Sequence, residues 1–282
     1  MADLAAYGDP RSQDLLLSYN VCGWLFLHDD WMDVSLDRMR EHAVTEELVS
    51  ILHRRLTPTR PLTAAFADLW TQLRAGMSQA WCHRAAWLWQ EYFQGNLAEA
   101  ADRREGHVPT SEEHLRVRDQ SVACTVMYAV AERTGGFEVP AGVWHATRLA
   151  TLRHHATRHI ILTNEILSHS KDDTGKQTNL VSLVMKEKNA SLTHALHGIR
   201  KEADRHVRQL ASLAELGPFC TRMRLPPETC HSVTRHVESM CTWVRGSYDW
   251  YGITARYSPA EDRQGHQPHI VPGLSAEQVR DE

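Results

Sequence analysis

Phe26-Leu27-His28-Asp29-Asp30-Trp31-Met32-Asp33 closes an apolar stretch whose hydrophobic residues recur at three- and four-residue spacing, the period of a helix. On a helix Asp29 and Asp33 share one face, so two carboxylates point the same way. Acidic side chains are disfavoured by the dipole at a helix C-terminal end, which gives this pair need of a reason beyond solubility. A hard cation such as Mg²⁺ takes oxygen ligands and typically uses one or two carboxylates together with substrate phosphates. Further along, Asn164-Glu165-Ile166-Leu167-Ser168-His169-Ser170-Lys171-Asp172 repeats the device. Asn164, Ser168 and Asp172 fall at i, i+4 and i+8, so an amide oxygen, a hydroxyl and a carboxylate line one face over two turns. Asn and Ser are weak helix formers, so their place inside a helix also asks for a purpose.

The same apolar spacing runs through most of the chain, while alternating β-branched runs are scarce; the expected fold is all-α. Breakers at Gly8-Asp9-Pro10, Thr57-Pro58, Pro61, Gly106 to Pro109, Gly135-Gly136, Asp173 to Gly175, Gly217-Pro218 and Pro226-Pro227 leave room for roughly nine or ten helices of ordinary length. Pro109-Thr110-Ser111-Glu112-Glu113 is a good helix start, with a hydroxyl cap followed by carboxylates, and predicts one helix from about Glu112 to Arg133. With 282 residues and no shift in composition, a single domain over 1–258 is expected, followed by a flexible polar extension over 259–282.

A formal charge of −4 gives no electrostatic footprint for nucleic acid, so none is expected as a partner. The apolar run Val21 to Leu27 is too short to span a membrane and no basic segment precedes it, which points to a cytoplasmic protein. Six cysteines without a CxxC pair suggest neither a disulfide framework nor a zinc ribbon. Among 18 histidines, His155 and His159 stand at i, i+4 beside His154 and offer a Zn²⁺ alternative, although no glutamate lies between them as in a zinc hydrolase. A basic, solvated helix face is the plainer reading of that run.

The two oxygen-bearing motifs, in this order, resemble the class I terpene synthases, in particular the bacterial sesquiterpene cyclases. In that family an aspartate-rich motif and an Asn/Ser/Glu motif hold three Mg²⁺ ions. The resemblance extends to Arg256-Tyr257, similar to a C-terminal Arg-Tyr pair, and to the Trp243-Val244-Arg245-Gly246 and Trp250 before it. Pro109 to Arg118 resembles the approach to a diphosphate-sensing arginine. It implies Asp29, Asp33, Asn164, Ser168 and Asp172 as metal ligands. Arg118, Lys171, Arg256 and Tyr257 are implied at the diphosphate, and the substrate is an isoprenyl diphosphate bound in an all-α bundle around an apolar cavity. Phe26 and Trp250 are candidate walls, with ordinary core packing as the alternative for each aromatic. Val122, Ala123, Cys124 and Met127 fall where the family breaks a helix along the pocket, but the usual glycine is missing.

The sequence departs from the pattern in three places. Glu165 stands where an Asp is usual, Asp172 replaces a Glu, and the stretch before Asp29 is short, as though the first helices of the family were missing. The expected reaction is Mg²⁺-dependent ionisation of farnesyl diphosphate, ahead of the geranyl and geranylgeranyl chains, to a cyclic terpene hydrocarbon or alcohol plus pyrophosphate. A prenyl diphosphate synthase would resemble a duplicated aspartate box, and only one is present. A degenerate relative that binds prenyl diphosphates without turnover is the non-enzymatic alternative, and the resemblance also allows a homodimer.

Overall fold

A computed structural model of the chain describes residues 2–53, 57–175 and 177–257; the 259–282 extension lies outside them. Within the described residues the chain forms α-helices and one short 3-10 turn, without strands. In order these are α1 (Ala2–Gly8), α2 (Leu15–Val34), α3 (Arg38–Leu52), α4 (Pro61–Arg74), α5 (Gln79–Glu105), α6 (Ser111–Ser121) and α7 (Cys124–Gly135). There follow α8 (Ala141–Trp144), α9 (Thr147–Gly175), α10 (Leu180–Lys188), α11 (Leu192–Leu213), α12 (Gly217–Met223), α13 (Pro227–Tyr251) and the 3-10 turn Ala255–Tyr257. The count exceeds the sequence expectation partly because α1, α8 and α12 are too short to leave a periodic signature.

Local chemistry sets the boundaries. Asp14, Asp37, Ser78, Asn179 and Ser191 each accept a backbone N–H of the turn that follows, satisfying donors a helix start leaves open. At α6 the expected capping box is present: the Glu113 N–H donates to Thr110 Oγ1 at 3.2 Å, and the Thr110 N–H donates to Glu113 Oε2 at 2.8 Å. The single helix expected over 112–133 is corrected. It breaks into α6 and α7 at Ala123, whose φ of +59° lies in the left-handed region. For an L-residue that conformation costs roughly 1–2 kcal/mol, so burial of Ala123 and Cys124 in the core must hold it.

The core is built on aromatic side chains from α2, α4 and α5. Trp24 meets Phe66 at 4.8 Å between ring centroids, Phe66 meets Trp89 edge-on at 4.9 Å, and Phe93 packs against both. Such pairs add about 0.5–1.5 kcal/mol each beyond their buried area. His28, one residue before the aspartate box, is fully buried with Nδ1 3.1 Å from Tyr92 Oη, and burial lowers its pKa to about 3. The end of α2 is thereby fixed to α5 as neutral, dry structure. A smaller core of Leu162, Leu180, Val181, Ala195, Ile199 and Ala203 joins α9, α10 and α11.

The N-terminal stretch is helical and docked. A Cβ on Gly246 would lie 2.2 Å from the Tyr7 carbonyl oxygen, and one on Gly8 would lie 2.5 Å from the Trp243 ring, so glycine is what lets α1 lie directly on α13.

The break at Ala123 makes a signed prediction. Ala123→Gly relieves the left-handed strain and should leave the thermal midpoint at or above wild type. In an uninterrupted helix the same change would cost about 1 kcal/mol, a drop of roughly 2–4 °C by calorimetry. A drop of that size would show the helix to be continuous in solution.

Candidate active site

One cavity of about 230 Å³ opens among α2, α5, α6, α7, α9, α13 and the 3-10 turn. Every residue named above as ligand, diphosphate group or pocket wall lines it: Phe26, Asp29, Asp33, Arg118, Val122, Asn164, Ser168, Lys171, Asp172, Trp250, Arg256 and Tyr257. The cavity is two-sided in chemistry. Leu25, Phe26, Met127, Ile160, Trp243 and Trp250 form an apolar wall, to which α1 adds Leu4, while the charged groups gather toward the end of α2 and the C-terminal half of α9. The Phe26 and Trp250 rings lie 5.6 Å apart and the Arg256 guanidinium stands 4.9 Å from the Phe26 ring centre, so these two aromatics belong to the pocket wall as well as to the packing.

On α2, oxygens of Asp29, Asp30 and Asp33 lie within 4.8 Å of one another. Arg256 reaches across to donate to Asp29 Oδ2 at 3.0 Å and to Asp30 Oδ1 at 2.7 Å, which brings Asp30 into the constellation beside the expected pair. Burial opposes the charge on Arg256, but the Asp30 hydrogen bond and the Asp29 carboxylate hold its pKa above the usual arginine value. Asp33 is less well matched. Arg103 is 3.7 Å away, and burial together with Asp29 raises Asp33 to about 7 against the pull of Lys171 and Arg103. Hard oxygens close together and short of positive charge are the chemistry a divalent cation fits.

On α9 the three expected oxygens do share a face. Asn164 Oδ1 accepts from Arg118 Nη2 at 3.0 Å, and its Nδ2 donates to Tyr257 Oη at 3.2 Å. Ser168 Oγ donates to Asp172 Oδ2 at 2.5 Å, so the short Asp172 side chain is drawn back toward its own helix. Asn179 also holds this edge, its Nδ2 donating to Asp172 Oδ2 at 2.9 Å and to the Glu165 carbonyl at 2.9 Å. All three oxygens suit a hard cation, which fits the same donor class as the α2 group.

Glu165 is the residue whose part the sequence did not reveal. It is 3 % exposed, and it lines the same cavity as the oxygen row. Its Oε1 accepts from Arg118 Nε at 3.0 Å, and its Oε2 lies 3.0 Å from His114 Nε2 and accepts the Leu180 N–H at 2.6 Å. Burial works against its charge, yet the bond from His114 and the charge of Arg118 bring its pKa below the usual glutamate value. Arg118 also donates to Glu99 Oε1 at 3.3 Å and Ser121 Oγ at 3.2 Å. Despite its own burial, Arg118 is held firmly protonated by Glu99, Glu165 and Asp29. Glu99 belongs to no recognisable motif, His114 lies within the Pro109 to Arg118 stretch without a part of its own there, and Asn179 carried only the ordinary signal of an N-cap.

The histidine run behaves differently from its sequence expectation. His159 Nδ1 lies 2.9 Å from the Ala203 carbonyl, while His155 Nδ1 lies 2.9 Å from His206 Nδ1 on α11. The i, i+4 pair is therefore not a joint ligand set, and none of His154, His155 and His159 lines the cavity.

Glu165→Gln keeps the shape but removes the charge that Arg118 and His114 answer. It should cost about 2–3 kcal/mol, the scale of hydrogen bonds to charged groups, and lower the thermal midpoint by roughly 4–12 °C. Glu165→Asp cannot reach both Arg118 and the Leu180 N–H and should also destabilise; two variants with wild-type midpoints would remove this anchoring role.

The arrangement of two oxygen clusters, flanking cations and an apolar wall agrees with what the chain is similar to. The family model described as terpene synthase family 2, C-terminal metal binding, matches residues 20–209. An R-linalool synthase of Streptomyces clavuligerus is 33% identical over 268 residues, spanning 92% of this chain and 80% of the relative. A (-)-beta-caryophyllene synthase ((2E,6E)-farnesyl diphosphate cyclizing) of Saccharothrix espanaensis is 32% identical over 276 residues, spanning 95% and 78%. Among solved structures, the linalool/nerolidol synthase of Streptomyces clavuligerus in complex with 2-fluorogeranyl diphosphate superimposes with a TM-score of 0.83 at 31% identity, over 89% of this chain and 87% of that one. The germacradien-4-ol synthase of Streptomyces citricolor gives 0.81 at 31% identity, over 89% and 83%. Fold, family match and relatives agree, and none of these relatives is a chain-elongating enzyme: the chain belongs to the bacterial class I terpene synthases.

Proposed function

We propose that this chain is a Mg²⁺-dependent terpene cyclase that ionises farnesyl diphosphate and releases a cyclic terpene hydrocarbon or alcohol with pyrophosphate. The observation that carries the reading is the two-sided cavity, with Asp29, Asp33, Asn164, Ser168 and Asp172 beside Arg118, Lys171 and Arg256 at one part and an apolar wall at the other. The five oxygen-bearing residues are those that would hold the metal. Bound Mg²⁺ supplies Lewis-acid neutralisation of a departing diphosphate. Three ions is the number the resemblance implies.

The protein's own groups do the rest. Arg118, Lys171 and Arg256 offer positive charge to the leaving group, and because Arg118 and Arg256 are held in place beforehand they need little reorganisation as charge develops. Arg118 is gripped through Nε by Glu165 and through Nη1 by Glu99, leaving Nη2, which donates to Asn164, as the nitrogen with an N–H to offer a phosphate oxygen. Tyr257, 3.2 Å from Asn164 Nδ2, adds a hydroxyl donor at the same edge. Phe26 and Trp250 present ring faces to positive charge, and the apolar wall keeps water from it. Val122 and the break at Ala123 shape the wall from the α6–α7 side.

A geranyl substrate is the second reading, favoured by the 2-fluorogeranyl diphosphate named with the structural relative. No described helix is long and apolar enough to cross a membrane. A cytoplasmic location, read from the short apolar run Val21 to Leu27, and a homodimer, read from the resemblance alone, complete the proposal.

The test is incubation of purified protein with geranyl, farnesyl and geranylgeranyl diphosphate, with and without Mg²⁺, and analysis of the extracts by gas chromatography and mass spectrometry. A cyclic product from farnesyl diphosphate that requires Mg²⁺ is expected. Asp29→Ala and Asn164→Ala should each lower kcat by at least about 10²-fold. Product from the geranyl chain alone would replace the substrate, and no product from folded protein would leave a binding relative without turnover.

A further inference from the structure

We propose that His154, His155 and His206 form a second metal site, for a borderline transition-metal ion such as Zn²⁺, between α9 and α11 and outside the terpene pocket. Ligand atoms of the three rings lie within 4.8 Å of one another. Ring centroids are 5.4 Å apart for His154 and His155, 5.5 Å for His154 and His206, and 5.0 Å for His155 and His206, a nearly equilateral triangle. Zn–N bonds of about 2.0–2.1 Å in a tetrahedron place ligand nitrogens roughly 3.4 Å apart. The His155 and His206 Nδ1 atoms already stand at 2.9 Å, so these two need only a slight spreading. His154 is exposed and can turn its ring inward, while solvent reaches the fourth position.

The surroundings suit nitrogen ligation. His206 is buried, and its other nitrogen, Nε2, lies 3.3 Å from Glu202 Oε1. A carboxylate at that distance can accept the distal ring N–H once Nδ1 gives its lone pair to a metal, the usual support of a metal-bound histidine. Arg205 Nη2 also stands 3.1 Å from that Nε2 and can only donate, so without metal Nε2 accepts from Arg205 and Nδ1 carries the proton; with metal on Nδ1 the Nε2–H turns to Glu202 Oε1 instead. Arg158 is matched by Asp119 at 2.6 Å. Burial, aided by these arginines and by the neighbouring histidines, lowers the pKa of all three rings, His206 to about 4, so they are neutral near pH 7. One proton now lies between the two facing Nδ1 atoms. Binding moves it to a distal nitrogen, a tautomer shift without net proton release. Imidazole nitrogen without carboxylate ligation selects Zn²⁺, Cu²⁺ or Ni²⁺ over the hard Mg²⁺ that suits the pocket.

The site would fasten α11 to the helix that carries Asn164, Ser168 and Asp172. The experiment is equilibrium dialysis of the full-length protein, free of any affinity tag, against ZnCl₂ in excess Mg²⁺, with protein-bound zinc counted by mass spectrometry. The thermal midpoint is followed in parallel. One equivalent of zinc is expected in wild type and in Asp29→Ala, with a zinc-dependent rise in midpoint. His154→Ala and His155→Ala should each weaken binding at least tenfold and abolish that rise. His154 is exposed, so its variant keeps the test open if His206→Ala fails to fold. Absence of stoichiometric zinc in wild type, zinc retained unchanged in both histidine variants, or zinc lost in Asp29→Ala instead would each overturn the site.

Discussion

A carboxylate buried as deeply as Glu165 is tolerated only where donors replace the water it has lost, and the donors it collects come from two helices other than its own. Arg118 and His114 arrive from α6, the Leu180 N–H from the start of α10, and Glu165 itself stands on α9. Because an uncompensated buried charge costs several kcal/mol, these elements are held in one relative placement. That placement decides which way the oxygen row of α9 faces and where the Arg118 guanidinium points. A shorter Asp at this position would leave one of the partners unmet, which gives the departure from the family pattern a structural sense.

Electrostatics at the mouth follow from the same knot. Arg118 is surrounded by Glu99, Glu165 and Asn164, and Arg256 is seated on Asp29 and Asp30. Two cations and several carboxylates are therefore held close together where water is partly excluded, and small displacements there carry large energies. The opposite wall is free of such groups. Its curvature comes from the break at Ala123, which turns the chain between α6 and α7 without a glycine, and from α1, which reaches the cavity through Leu4 because Gly8 and Gly246 allow it to lie flat on α13.

Helix α9 carries two unlike surfaces. Its C-terminal half offers oxygen to the pocket, and its N-terminal half offers imidazole nitrogen to α11. The separation matters chemically, since hard and borderline cations are sorted by ligand type more than by raw affinity. Arg158, which falls between the two regions along α9, is paired with Asp119 of α6.

The sequence by itself determined the helical class, the helix start at Thr110 and both oxygen rows, because periodicity, capping and i, i+4 spacing are local properties written in neighbouring residues. It also pointed to Arg118, Lys171, Arg256 and Tyr257 through their resemblance to a family. Only the tertiary structure decided that Glu165 anchors Arg118, that Glu99, His114 and Asn179 complete the mouth, and that His206 rather than His159 meets His155. These are pairings between side chains far apart in the chain, and no spacing encodes them. The break at Ala123 belongs with them. Local propensity favours a continuous helix through an alanine, and the left-handed turn exists because packing against the core outweighs that preference.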